Sequence, residues 1–209
     1  MNADSPTQQK TPRTQPKIPR TIWVLVGAAF IIALGYGLIA PVLPQFAGSF
    51  GVSMAAAGAV ISIFAFARLI GAPGAGRLVD RLGSRPIYLT GLLIVAASTF
   101  FVAFAQAYWQ ILALRFIAGF GSTMFTLSAQ ALIVRVTHPS IRGRANALYA
   151  SAFLVGNVVG PIIGAALSFL GFRAPFVIYG IAVAGAAVAV GALTQPKPGS
   201  EPLPAAKPK

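Results

Sequence analysis

Six stretches of this chain are long and apolar enough to cross a lipid bilayer, which removes most folds from consideration. A helix needs about 20 predominantly apolar residues to span the hydrocarbon core. The runs at 22–43, 53–75, 86–106, 109–134, 145–170 and 174–194 meet that condition. In lipid a spanning segment has to satisfy its own backbone donors and acceptors, so these runs are expected as helices. Only 9% of the residues are charged, against about 25% in soluble domains. The joining segments are short: "PQFAGSFGVS", "GRLVDRLGSRP", "QAYWQ", "RVTHPSIRGR" and "GFRAP". Consecutive helices are therefore expected as up-down neighbours around a common interior, an all-α integral membrane bundle over residues 21–195. Residues 1–20 and 196–209 are polar and proline-rich, and are expected as disordered tails. The first apolar run exceeds the h-region of a signal peptide and has no convincing A-x-A site, so it is taken as a retained span.

Charge sets the expected orientation. The net charge is +13, but the cations fall in short clusters between apolar runs. No basic face for nucleic acid is formed, and no nucleic-acid partner is expected. Lys10, Arg13, Lys17, Arg20, Arg77, Arg81, Arg85, Arg135, Arg142, Arg144, Lys197, Lys207 and Lys209 all lie on one side of the expected topology. Arg173 stands alone on the other, and Arg68 and Arg115 fall inside spans. The positive-inside rule then puts both termini in the cytoplasm, in a multi-pass protein of the inner (plasma) membrane.

An internal repeat is also present. "GRLVDRLGSRP" places Gly76 seven residues before Gly83, followed by Arg85 and Pro86, and "GAALSFLGFRAP" repeats this with Gly164, Gly171, Arg173 and Pro175. Gly35-Tyr36-Gly37 and Gly119-Phe120-Gly121 are a second matched pair. Three helices separate the copies, so the second is inverted in the membrane. Such 3+3 inverted repeats mark secondary transporters.

Little in the sequence suits enzyme chemistry. The absence of cysteine removes disulfides, thiolate catalysis and cysteine metal sites. Asp4, Asp80 and Glu201 are the three acids and His138 the one histidine. No Walker GxxxxGK or GxGxxG motif occurs, so no nucleotide, other cofactor or metal is expected, and the chain is not read as an enzyme. The polar groups inside the spans carry the interest. Arg115 sits well inside the fourth run, where a charge is expensive and by default functional. Arg68 either lines an interior cavity or snorkels to the near surface. Tyr36, Gln45, Gln130 and Asn157 either line a cavity or hydrogen-bond between helices. Gly156, Gly160 and Gly164 recur every four residues, with Pro161 beside the middle one. They form either a static packing face or a bending helix.

At these stretches the chain resembles the major facilitator superfamily, over essentially all of 20–195. "GRLVDRLGSRP" is similar to its loop signature between helices two and three, G-x-L-x-D-R-x-G-R-[RK]. "LALRFIAGFG" resembles its fourth-helix motif, with Arg115 as the arginine and Ala118 replacing the usual glutamine. "GNVVGPIIGAAL" resembles the fifth-helix motif of drug–proton antiporters, with Ala165 replacing a glycine. "GYGLIAPVLPQFA" followed by "FGVS" is similar to the first helix and loop of bacterial multidrug exporters.

The resemblance implies an efflux carrier for small amphipathic or hydrophobic compounds, working by alternating access. Asp80 would lock the cytoplasmic side by meeting a helix end in the other half of such a carrier. Gly76 and Gly83 would let backbones pack closely, and Arg77, Arg81 and Arg85 would fix the loop on the cytoplasmic side. Family members have twelve or fourteen helices and this chain shows six, so an N-terminal half completed by a C-terminal half or a second copy is implied. Protons are the implied coupling ion, although residues 22–43 contain no acid. A non-transporting six-helix remnant, or a regulatory partner of a full-length carrier, is the alternative. A channel is disfavoured, because no ring of polar residues appears at matching depths.

Overall fold

The computed structural model describes residues 18–194. The tails expected at 1–20 and 196–209, apart from residues 18–20, lie outside that range. The described chain folds into helices α1 (Arg20–Ile39), α2 (Val42–Gly48), α3 (Met54–Leu82), α4 (Ser84–Val102), α5 (Tyr108–Val136), α6 (Arg142–Ala166) and α7 (Ala174–Leu193). Six of these are long and apolar enough to cross a membrane, and α2 is a seven-residue exception. No strand occurs among the described residues.

Most helix boundaries differ from expectation by a few residues, α4 ending at Val102 against an expected 106 and α6 beginning at Arg142 against 145. Three further differences stand out. The first apolar run does not continue as one helix to residue 43: α1 ends at Ile39, and Pro41 lacks the N–H needed to extend it. The fifth run ends as a regular helix at Ala166 and finishes in a short 3-10 turn over Ser168–Leu170. The largest difference is at "GRLVDRLGSRP". Residues 76–82 are not a loop but the last two turns of α3, and Gly83 alone separates α3 from α4. Gly83 has φ +88 and ψ 157, a region open essentially only to glycine. Its repeat counterpart Gly171 has φ +82, so both copies end their signature on the same backbone device.

The membrane-spanning helices form an open arc in the order α6, α1, α7, α4, α5, α3, each packed mainly on its neighbours in that order. Exchanging the two halves of the chain maps α1 onto α5, α3 onto α6 and α4 onto α7, which reverses the arc onto itself. This is the 3+3 repeat in three dimensions. The apolar core runs through the middle of the arc, with Ile22, Leu25 and Ile32 of α1, Leu92 of α4, Ile111 and Ile133 of α5, and Phe176 and Val183 of α7 buried. The helices at the arc's ends are the least covered: 28% of the spanning window of α3 and 22% of that of α6 is buried, against 56% for α1.

Glycine makes the tightest seams. Cβ atoms at Gly156, Gly160 and Gly164 would run into the α1 backbone at Phe30, Leu34 and Leu38 respectively. The stripe is thus a packing face against α1, and α6 runs through Pro161 as one helix. Gly35 takes the ring of Tyr179, whose hydroxyl donates to the Ile32 carbonyl at 3.1 Å. Gly119 meets α3 at Phe64 and Ala67, and Gly121 meets α4 at Gly91 and Ile94.

Candidate functional site

The arc encloses a cavity of about 560 Å³ between α1, α3, α5 and α6. Four sequence-predicted candidates come together on it: Tyr36 from α1, Arg68 from α3, Gln130 from α5 and Asn157 from α6. Arg115 lies next door, in a smaller cavity of about 70 Å³ that shares Tyr36 and is lined also by Phe64 and Tyr179. Gln45 lies apart, on a cleft with Pro161 and Gly164 between α2, α6 and the start of α7.

Phe64 organises the polar end of the site. Its ring packs edge-on to Tyr36 at 5.2 Å between centroids. The Arg115 guanidinium carbon lies 4.6 Å from its centroid, and that of Arg68 5.9 Å. Two cations thus share one aromatic ring, whose quadrupole attracts each by about 0.5–2 kcal/mol. Arg115 is 6% exposed and its Nε has no hydrogen-bond partner among the described residues. The Tyr36 hydroxyl is buried and faces Arg115 and Ser122, yet makes no hydrogen bond of regular geometry to either. The Thr123 hydroxyl donates to the Arg68 carbonyl at 3.1 Å, which pins α3 to α5 at the level of the site.

Several lining residues were missed by taking polar groups one at a time. Ser122, Thr126 and Gln130 line the cavity at intervals of four along α5, and Tyr149, Phe153 and Asn157 do so along α6. Residues spaced by four share a helix face, so both faces were already marked in the sequence. Phe64 carried no such mark, since its partners Tyr36 and Arg115 reach it from other helices.

The remaining candidates lie at a helix junction on one membrane face. Asp80 and Arg81 are exposed in the last turn of α3, and Asp80 forms no ion pair with a described residue. Gly76 departs from expectation: a Cβ there would meet nothing within 4 Å, so it makes no close helix contact in this bundle. Gly83 likewise serves backbone conformation, not close packing, the nearest atom to its ideal Cβ being Pro86 Cδ at 3.9 Å. Arg85 does more than mark a side of the membrane. Its Nη2 donates to the Gly191 carbonyl at 2.7 Å and its Nε to the Thr194 hydroxyl at 3.1 Å, so it caps the C-terminal end of α7.

Comparison with known proteins agrees with this architecture. Multidrug resistance protein MdtG of Enterobacter lignolyticus is 34% identical over 194 residues, covering 90% of this chain and 46% of that protein. The protein of the same name from Escherichia fergusonii is 34% identical over 167 residues, covering 78% and 41% respectively. The chain thus spans about half the length of the curated relatives it matches. Among solved structures, the peptide transporter POT in complex with sulfate superposes with a TM-score of 0.76 at 16% identity, over 83% of this chain and 37% of that one. The human organic anion transporter MFSD10 (TETRAN) superposes with a TM-score of 0.71 at 23% identity, over 84% and 47%. At these identities the two structures speak for the fold alone. A family model described as Major Facilitator Superfamily matches residues 25–209, and by that match, the six-helix arc and the inverted repeat, this chain belongs to the major facilitator superfamily.

Proposed function

We propose that the bundle exports small amphipathic or hydrophobic compounds by alternating access, as one half of a carrier. A second six-helix body completes it, either a C-terminal half or another copy of the chain. The observation that carries this reading is the cavity of about 560 Å³, in which Tyr36, Arg68, Gln130 and Asn157 converge on otherwise largely apolar and aromatic walls. Its size lies within the range of small-molecule sites. It sits between α3 and α6, the two spans with the most uncovered surface, where a second body would close it. The similarity to relatives named as multidrug resistance proteins supports efflux.

In this reading both chain ends face the cytoplasm, on the side carrying Arg20, Arg77, Arg81, Arg85, Arg135, Arg142 and Arg144. Asp80 stands exposed on that side, available to the N-terminal end of a helix in the second body. A carboxylate is favoured at such an end, and the contact would hold the cytoplasmic side closed. Where the export is driven by protons, the titrating group is either in the second body or is not a carboxylate, since α1 contains no acid.

The test is efflux from everted vesicles, using fluorescent dyes of different charge, with the chain alone and together with its completing half. Extrusion that falls at least fivefold in Gln130→Ala and Asn157→Ala is expected in the competent combination. Absence of dye movement in every combination would reject transport. Unchanged extrusion in Asp80→Asn would reject the lock.

A further inference from the structure

The charge of the cavity narrows what it takes, on the premise that it is the transport site proposed above. Arg68 lines the main cavity and Arg115 the adjoining one, with Tyr36 common to both. A guanidinium keeps its proton at any physiological pH. A charge inside the membrane normally faces water or pairs with an opposite charge. The only acid among the described residues is Asp80. It lies twelve residues beyond Arg68 on the same helix, roughly 18 Å away at 1.5 Å per residue. Phe64 gives both guanidiniums an aromatic face, a weaker compensation than an opposite charge would give buried Arg115 for its lost hydration. Donors are left over as well: the Tyr36 hydroxyl and Arg115 Nε are buried without hydrogen-bond partners among the described residues. The cavity is also lined by the aromatic side chains of Phe125, Tyr149 and Phe153.

We propose that the cavity binds lipophilic aromatic organic anions and discriminates against cations of the same size. The anionic group lies against Arg68 and the Tyr36 hydroxyl. Arg115, behind Phe64, adds positive potential from a position too buried for water to screen. The aromatic part of the ligand rests on Phe125, Tyr149 and Phe153. Ser122, Thr126 and Gln130 along the α5 wall offer hydrogen bonds to further polar groups.

Tetraphenylborate and tetraphenylphosphonium provide the test, being nearly identical in shape and opposite in charge. Each is titrated calorimetrically into the full chain in phosphatidylcholine nanodiscs, with empty nanodiscs subtracting partition into lipid. The chain is expected to bind the anion at least tenfold more tightly than the cation. Arg68→Gln, an exposed position that the core does not depend on, is expected to weaken the anion at least fivefold and leave the cation unchanged or strengthened. Arg115→Gln is expected to act in the same direction, with circular dichroism confirming the fold and Arg115→Lys restoring part of the preference. Equal or tighter binding of the cation, no binding above empty discs, or an anion affinity unaltered in Arg68→Gln each overturns the proposal. Transport is not read in this experiment. Charge-selective binding by a chain that moves no dye upholds this inference and rejects the carrier reading, and indifferent binding by an active carrier does the reverse.

Discussion

A Cβ at Gly160 would land on the carbonyl oxygen of Leu34 and within 2.7 Å of the Gly37 Cα, whereas one at Gly76 meets nothing within 4 Å. Backbone cannot swing aside as a side-chain tip can, so α6 must move off α1 to admit even a methyl group at Gly160. Overpacking of this kind costs about 1–3 kcal/mol. Thermal unfolding in detergent, followed by circular dichroism, is expected to show Gly160→Ala melting clearly below the parent protein. Gly76→Ala is expected to match or slightly exceed it, because alanine in a helix interior is favoured over glycine by about 0.5–1 kcal/mol. The four-residue spacing announced the stripe at Gly156, Gly160 and Gly164, and the surface it serves is the one such spacing implies. Gly76 belongs to a signature just as recognisable, but nothing within this bundle explains it. Its neighbour, if packing is its purpose, has to come from the second body. Arg115 was conspicuous as a charge in an apolar run, yet its dependence on Phe64 was not, since that contact joins residues 51 positions apart in the sequence on two helices.

At the scale of the helices, residue period was a better guide than composition. Leu78, Val79 and Leu82 continue the apolar pattern of α3 past Gly76, which is why the expected loop is helix up to Gly83. Charge density suggested a turn there, but arginines near a helix C-terminus favour the helix through its dipole, and Arg81 occupies that last turn. The capping of α7 by Arg85 was not legible, because it pairs groups 106 and 109 residues apart. It supports a prediction of its own. Arg85→Gln removes a charged donor from the final carbonyls of α7, an interaction worth about 1 kcal/mol at a partly exposed helix end. Hydrogen-exchange mass spectrometry is expected to show faster exchange around Gly191–Thr194 in this variant, with the rest of α7 unaffected. Arg77→Gln, an exposed neighbour on α3, is expected to leave that peptide at the parental rate.

For the whole molecule, sidedness is the property most open to direct measurement. The chain contains no cysteine, so a single introduced thiol reports its own position without background. Leu82→Cys and Trp109→Cys replace side chains 60% and 66% exposed at opposite ends of the bundle. If the arginine-rich face is cytoplasmic, a membrane-impermeant maleimide labels Trp109→Cys in intact cells and Leu82→Cys only after permeabilisation. The reverse pattern would overturn the orientation. The six spans and the inverted repeat were evident in the sequence because both rest on local patterns. The arc was not, since the order of packing depends on which glycines meet which backbones. The single-residue joint at Gly83 has a mechanical consequence. One residue extends at most about 3.6 Å, so the link between α3 and α4 has almost no slack. A tilt of the arginine-rich end of α3 cannot be taken up by a flexible connection and must drag the first turn of α4 with it. Arg85 rides on that turn and grips the exit of α7, so a push on the Asp80 end of α3 reaches the middle of the arc as through a bell-crank, three helix ends turning on one glycine.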